Sequence, residues 1–171
     1  MCGLGFGEVW YQQGVGNKAA FINVCRQRLR DQSIQQWFGF VRNKSGCILY
    51  RELKGEFIFS KYLNVIKSKK HRVALTRFRT RNHSLPIVKM GQGHNRVPYN
   101  ERLCAVCGVL GDEYHCVFEC QKTEHLRYVL PTYYLIIRDD QFSMAKFIQL
   151  LTTTRVSVII KFARFVYMAS V

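Results

Sequence analysis

The segment CAVCGVLGDEYHCVFEC, residues 104 to 120, carries four cysteines and one histidine in seventeen positions. Thiolate and imidazole are the soft ligands that zinc takes, four at a time, in a tetrahedron. Cys104 and Cys107 have the C-x2-C spacing of a metal knuckle, whose turn brings two thiolates to one ion and aims backbone amides at sulfur. Gly108 follows them, where a tight turn favours positive φ. Three completions are open. His115 and Cys120 give C-x2-C-x7-H-x4-C; Cys116 and Cys120, one helical turn apart, give four thiolates; Cys120 and His125 give C-x2-C-x12-C-x4-H. Periodicity does not choose among them. Each is a closed four-ligand site with no open position for water, so the expected role of a single Zn²⁺ is structural and not catalytic. The other use of C-x2-C, as a redox pair, belongs to a βαβ setting, and none precedes this motif.

Immediately upstream, between Lys61 and Leu103, eleven Lys and Arg face one acid, Glu101. Candidate contacts to a polyanion are Lys69, Lys70, Arg72, Arg77, Arg79, Arg81, His83, Lys89, Arg96 and Arg102. The whole chain holds 26 Lys and Arg against 11 Asp and Glu, a net charge of +15. Such an imbalance speaks to partners, with nucleic acid first and an anionic membrane second. On a helix Arg77 and Arg81 share one face at i, i+4 while Leu75 and Phe78 turn inward. Their mutual repulsion is offset where phosphates replace it and release counterions. The plainer use of these charges is a solvated face that keeps the protein soluble. Twelve Phe and nine Tyr offer stacking surfaces, so RNA or single-stranded DNA is the preferred ligand over duplex. No residue pattern here reads a base edge.

These residues need elements to hold them. The 171-residue chain is long enough to bury a core, and 48% hydrophobic content argues against disorder. One domain, with or without a small appendage, is expected. The glycine-rich start, residues 1–17, reads as a flexible segment; no G-x-G-x-x-G or G-K-[ST] makes it a phosphate loop. From Lys18 to Val41 apolar residues recur near helical spacing, with Cys25 on the apolar side as a buried thiol and residues 43–46 as the break. The run CILY, residues 47–50, suits a short strand, and Phe57 to Ile66 a helix after Gly55. Residues 69–85 read as a helix with Val73, Ala74, Leu75 and Phe78 inward, and 86–100 as a loop. A helix is expected to continue from Glu124 to Pro131, and two more over 143–151 and 155–169, parted by three threonines. The fold class is thus mainly α: a helical domain with an embedded, zinc-stapled CCHC knuckle. Its regions are 1–17, the basic helical part 18–103, the metal unit and following helix 104–130, and the C-terminal helices 131–171.

The start lacks the basic-then-apolar layout of a signal peptide, and Lys161 and Arg164 interrupt a C-terminal apolar run too short to span a bilayer. The expectation is an intracellular protein, cytoplasmic or nuclear, with no membrane partner and no small-molecule substrate. Seven cysteines in such a compartment mean metal or buried thiols.

The string LTRFRTRNHSLPI, followed by NERLCAVCGVLGDEYHCVFEC, resembles the C-terminal region of non-LTR (LINE-type) retrotransposon polyproteins, downstream of the reverse transcriptase domain. Arg79, Thr80 and His83 match that family's Arg-Thr-x-x-His stretch. Cys104, Cys107, Gly111, Asp112, Glu113, His115 and Cys120 match its knuckle. QRLRDQSIQQW, LYRELKGEF and FSMAKFIQLL extend the likeness over nearly the whole chain. The resemblance selects the first completion: Cys104, Cys107, His115 and Cys120 as metal ligands, Cys116 packed inward, His125 on the surface. It also implies a region that helps hold element RNA or target DNA during target-primed reverse transcription.

The family's catalytic work needs clustered acids on Mg²⁺. This chain has eleven acids, and its adjacent pair, Asp139-Asp140, lacks the aromatic-x-Asp-Asp setting of a polymerase. The expectation is a nucleic-acid-binding zinc module without the polymerase and endonuclease cores, and not an enzyme. The alternatives are a structural or protein-interaction domain in which zinc only organises helices, or a retroelement fragment with no selected function.

Overall fold

The computed structural model describes residues 5–131 and 144–170. The chain is mainly helical; among the described residues the one β-type pairing is an isolated antiparallel bridge between Leu103 and Leu110. It divides into two compact units, residues 1–44 and 45–171.

In the first unit the glycine-rich start contains a short helix, α1 (Gly7–Gln12), where a flexible segment was expected. Phe6 packs edge-on against Phe21, ring centroids 5.3 Å apart, and the Arg28 guanidinium covers it at 4.3 Å. Helix α2 (Lys18–Asn43) is continuous for 26 residues. Asn17 caps it, its side chain accepting from the Ala20 amide at 3.1 Å, which satisfies one of the orphan donors of the first turn. Of its residues only Val41 is buried; Val24, Leu29 and Phe40 are exposed, and Cys25 is half-buried where a buried thiol was expected. Helical spacing of apolar residues sets up a face, and burial needs a partner to cover it.

The second unit is built on three helices: α5 (Lys69–Arg79), α9 (Met144–Thr152) and α10 (Val156–Ala169). The shorter elements are α3 (Ile48–Leu53), α4 (Tyr62–Val65), α6 (Pro86–Lys89), α7 (Glu113–Phe118) and α8 (Gln121–Glu124). CILY therefore begins a helix and not a strand, because the run continues into the helix-forming YREL. The stretch 124–130 is broken into α8 and a 3-10 turn, Arg127–Val129, in place of one continuous helix. The core is aromatic. Phe78 of α5 meets Phe162 of α10 at 5.8 Å and Phe147 of α9 at 6.4 Å, both edge-on, and Phe118 of α7 meets Phe147 at 6.2 Å. Leu75 and Phe78 face this core, but Val73, expected inward, is 39% exposed. No described helix is long and apolar enough to cross a membrane.

Helix α5 ends in a way that matters for the site. Arg81 takes the left-handed conformation, φ 51°, and the Asn82 amide reaches back to the Arg77 carbonyl at 2.8 Å. This is a Schellman-type stop with arginine where glycine is usual. The strain needs a compensating contact, and Arg81 has one in the metal unit.

Candidate metal centre and adjoining basic groove

The knuckle is made locally. The Cys104 amide donates to the Val109 carbonyl at 2.7 Å and the Gly108 amide to the Cys104 carbonyl at 2.9 Å, closing a tight turn. Gly108 has φ +70°, the conformation that its lack of Cβ permits. The second pair of ligands comes from α7. Asp112 caps it, accepting from the His115 amide at 2.8 Å, and that cap fixes where the imidazole projects. After α7 the Cys120 amide donates to the His115 carbonyl at 2.8 Å, so the turn that ends the helix returns the fourth ligand to the third.

The ligand atoms of Cys104, Cys107, His115 and Cys120 all lie within 4.8 Å of one another. The four can hold one metal ion. Sγ of Cys104 and Sγ of Cys120 are 3.7 Å apart. A tetrahedron with metal–sulfur bonds of about 2.3 Å has an edge of about 3.8 Å, so the pair sits at a ligand–ligand distance. Nε2 of His115 is buried without a hydrogen-bond partner, and its Nδ1 lies 3.3 Å from Glu119. An orphaned imidazole nitrogen beside three sulfurs, with a carboxylate on the other nitrogen, is the donor set of a metal-bound histidine. Burial pushes the Cys104 thiol up, but the amides of Cys107 and Val106 together with the side chains of His115 and Cys120 outweigh it and bring it down to about 6. Burial raises Cys120, whose proton is also held by its neighbour Cys104. A cation between them favours the ionised form of both sulfurs.

The remaining soft groups stay outside. Cys116 turns into the protein, 4% exposed, and burial pushes its thiol up to about 12. His125 is exposed and does not join the cluster. Around the ligands stand residues to which spacing gave no clue. Arg127 donates to the carbonyls of Cys120 at 2.8 Å and Val117 at 3.1 Å, and Thr123 to that of Cys116 at 2.6 Å. Gly111 packs so closely on Pro86 that a Cβ would come within 2.6 Å of it.

The basic stretch divides into two groups. Arg79 is buried, donating Nη1 to the Leu151 carbonyl in the last turn of α9, and lies over the Tyr62 ring at 5.0 Å. Arg81 and His83 both reach Glu113, at 2.8 and 2.9 Å, with side chains 10% and 6% exposed. Arg72 donates to the Ile66 carbonyl at 3.0 Å, and Arg102 to those of Val97 and Ile87 at 3.0 and 2.9 Å. These five hold the fold. Arg79, Arg81 and His83, expected as phosphate contacts, are thus engaged within the protein, and Arg77 and Arg81 do not share one helix face. The carboxylate that binds two of them, Glu113, stays ionised below its usual range: burial opposes this, and His83 and Arg81 outweigh it.

Lys69, Lys70, Arg77, Lys89 and Arg96 are exposed. The first four line a groove of about 1150 Å³ between α5, α6 and the end of α10. Its floor is apolar, with Val73, Ala74, Val166 and Tyr167, and among the described residues no acid lines it. Lys70 Nζ lies over the Tyr167 ring at 4.9 Å, and His71 stands 5.1 Å from the same ring. Burial and then the charges of Lys70 and Arg164 hold the His71 imidazole below its usual range, a sign of positive potential at this edge. Asp139 and Asp140 lie outside the described residues. No protein-family model, curated protein or solved structure matches the chain.

Proposed function

We propose that the protein is a nucleic-acid-binding module stapled by one structural zinc, a remnant of a LINE-type retrotransposon polyprotein without its polymerase and endonuclease cores. The observation that carries the binding role is the groove, with four cations, no acid among the described residues, and an apolar floor ending in Tyr167. Single strands need this combination: cations for the phosphates and a flat apolar surface on which unpaired bases stack. Zinc is the metal that fits three thiolates and an imidazole closing a four-ligand shell. Such a shell leaves no position for a substrate or an activated water, which agrees with a binding role and not a catalytic one.

The test is fluorescence anisotropy with mixed-sequence single-stranded RNA and DNA at two salt concentrations, on protein of known metal content. Arg77→Glu with Lys89→Glu should weaken all sequences alike. It should also flatten the log–log salt slope by about 0.7 for each single-strand phosphate that the variant no longer touches. Unchanged affinity and slope in that double variant would sink the nucleic-acid reading. One observation favours a second reading, a helical docking domain: Val24, Leu29 and Phe40 lie exposed along α2. It gains if the protein binds neither RNA nor DNA at low salt.

A further inference from the structure

A second cavity, of about 440 Å³, lies against α9, α10 and the segment from Leu53 to Tyr62. It is separate from the groove, and none of the metal-ligand set lines it. Three cations line it, Lys54, Lys61 and Arg79, against one carboxylate, Glu56, whose side chain is exposed.

Arg79 is the unusual member. Its Nη1 is committed to the Leu151 carbonyl, and its face rests over Tyr62. Its Nε is buried and has no hydrogen-bond partner, and no acid among the described residues pairs with the guanidinium. A buried donor left unsatisfied is destabilising, the more so when it belongs to a charged group. The guanidinium lines the cavity, and a guanidinium is the side chain best suited to receive an oxyanion. Lys54 faces the same space, its Nζ donating to Ser60 at 3.1 Å and to no acid among the described residues. Burial and then the Arg79 charge depress its pKa. Apolar side chains also line it: Leu53, Leu150, and Ile58 and Phe59, which are 63% and 65% exposed. Cavities of roughly 300–1,000 Å³ with an apolar wall and a few convergent polar groups are the usual form of a small-ligand site.

We propose that this cavity binds a small organic anion. An oxyanion head, carboxylate or phosphate, sits between the Arg79 guanidinium and the Lys54 ammonium, and an apolar body lies against Ile58 and Phe59. The site stands on its own residues and is independent of the nucleic-acid reading.

Isothermal titration of the metal-loaded full chain with phenyl phosphate, benzoate and inorganic phosphate tests it. One molecule of phenyl phosphate or benzoate should bind per chain, and the tighter of the two identifies the head. Inorganic phosphate should bind about tenfold more weakly, because it leaves the apolar wall in water. Lys54→Met should weaken the organic anion about tenfold or more, and Arg77→Met, in the groove, should leave it unchanged. Lys54 is the residue to vary because Arg79 also closes the end of α9, so Arg79→Met risks the fold. Three results overturn the proposal: no saturable binding of either organic probe, equal affinity for inorganic phosphate, or loss of binding in Arg77→Met and not in Lys54→Met.

Discussion

The segment from Cys104 to Cys120 and the stretch from Lys69 to Arg102 both crowd together groups that repel when charged, and they relieve the repulsion differently. The cysteines converge, two sulfurs 3.7 Å apart, on a position that a cation neutralises. The arginines disperse. Arg79 takes a carbonyl 72 residues away, Arg81 an acid 32 residues away, and Arg102 two nearby carbonyls. What remains free, chiefly lysines and Arg77, collects at one groove. Cationic density in a sequence is thus two populations: guanidinium forks used as internal hydrogen-bond donors, and solvated charges left for a partner.

The metal side of this contrast gives the largest effect. A structural zinc contributes on the order of 10 kcal/mol of binding free energy, all of it spent on folding the unit that binds. Cys104→Ser or His115→Ala should therefore abolish stoichiometric metal and unfold the knuckle, read by metal analysis beside thermal unfolding. His125→Ala should change neither. Cys116→Ser should keep the metal while losing about 1–3 kcal/mol, because it buries a hydroxyl in place of a thiol. Metal lost in Cys116→Ser and kept in His115→Ala would transfer the fourth ligand to Cys116.

Next comes Glu113, the joint between the two regions. Removing it leaves Arg81 and His83 buried without their acid, the situation that costs about 3–5 kcal/mol. Glu113→Ala should lower thermal stability by that order even with metal in excess. If the loss is instead within about 0.5 kcal/mol, Arg81 and His83 find other partners, and the two regions are not joined there.

Much of this is legible in the sequence where partners are close along the chain. The knuckle spacing and helices α9 and α10 follow from residues within a few positions of one another. The split among the arginines is not, because nothing within four residues of Arg79 or Arg81 announces Leu151 or Glu113. The Arg-Thr-x-x-His stretch likewise reads as a phosphate contact, yet its Arg79 and His83 hold helices in place. Helix α2 departs from expectation for a related reason. Its apolar spacing sets a face, but whether Leu29 or Phe40 is covered depends on what packs there, which local pattern does not encode.

Glu119 predicts a smaller effect on the metal. As the partner of the His115 Nδ1 it orients the ring without touching the ion, and such partners are worth about 10–100-fold in metal affinity. Glu119→Ala should keep the fold at saturating zinc and release zinc about that much more readily to a competing chelator. An unchanged competition curve would mean that the Asp112 cap alone positions the ring.

The smallest expected effect on stability is at Arg77, and it isolates the solvated population. Arg77 is exposed on α5, and its side chain makes no hydrogen bond or ion pair among the described residues, unlike that of Arg79 two positions on. Arg77→Ala should leave thermal stability within about 0.5 kcal/mol of the parent, and alanine even suits the helix slightly better. Yet the same substitution should reduce the salt slope for a single-stranded oligonucleotide by about 0.7, the share of one phosphate. Arg79→Ala should do the reverse, with a stability loss of a few kcal/mol and a slope unchanged in whatever protein remains folded. If both variants instead lowered stability and neither moved the slope, the division between internal donors and free cations would be wrong at its clearest pair, and the groove would be a solvated face.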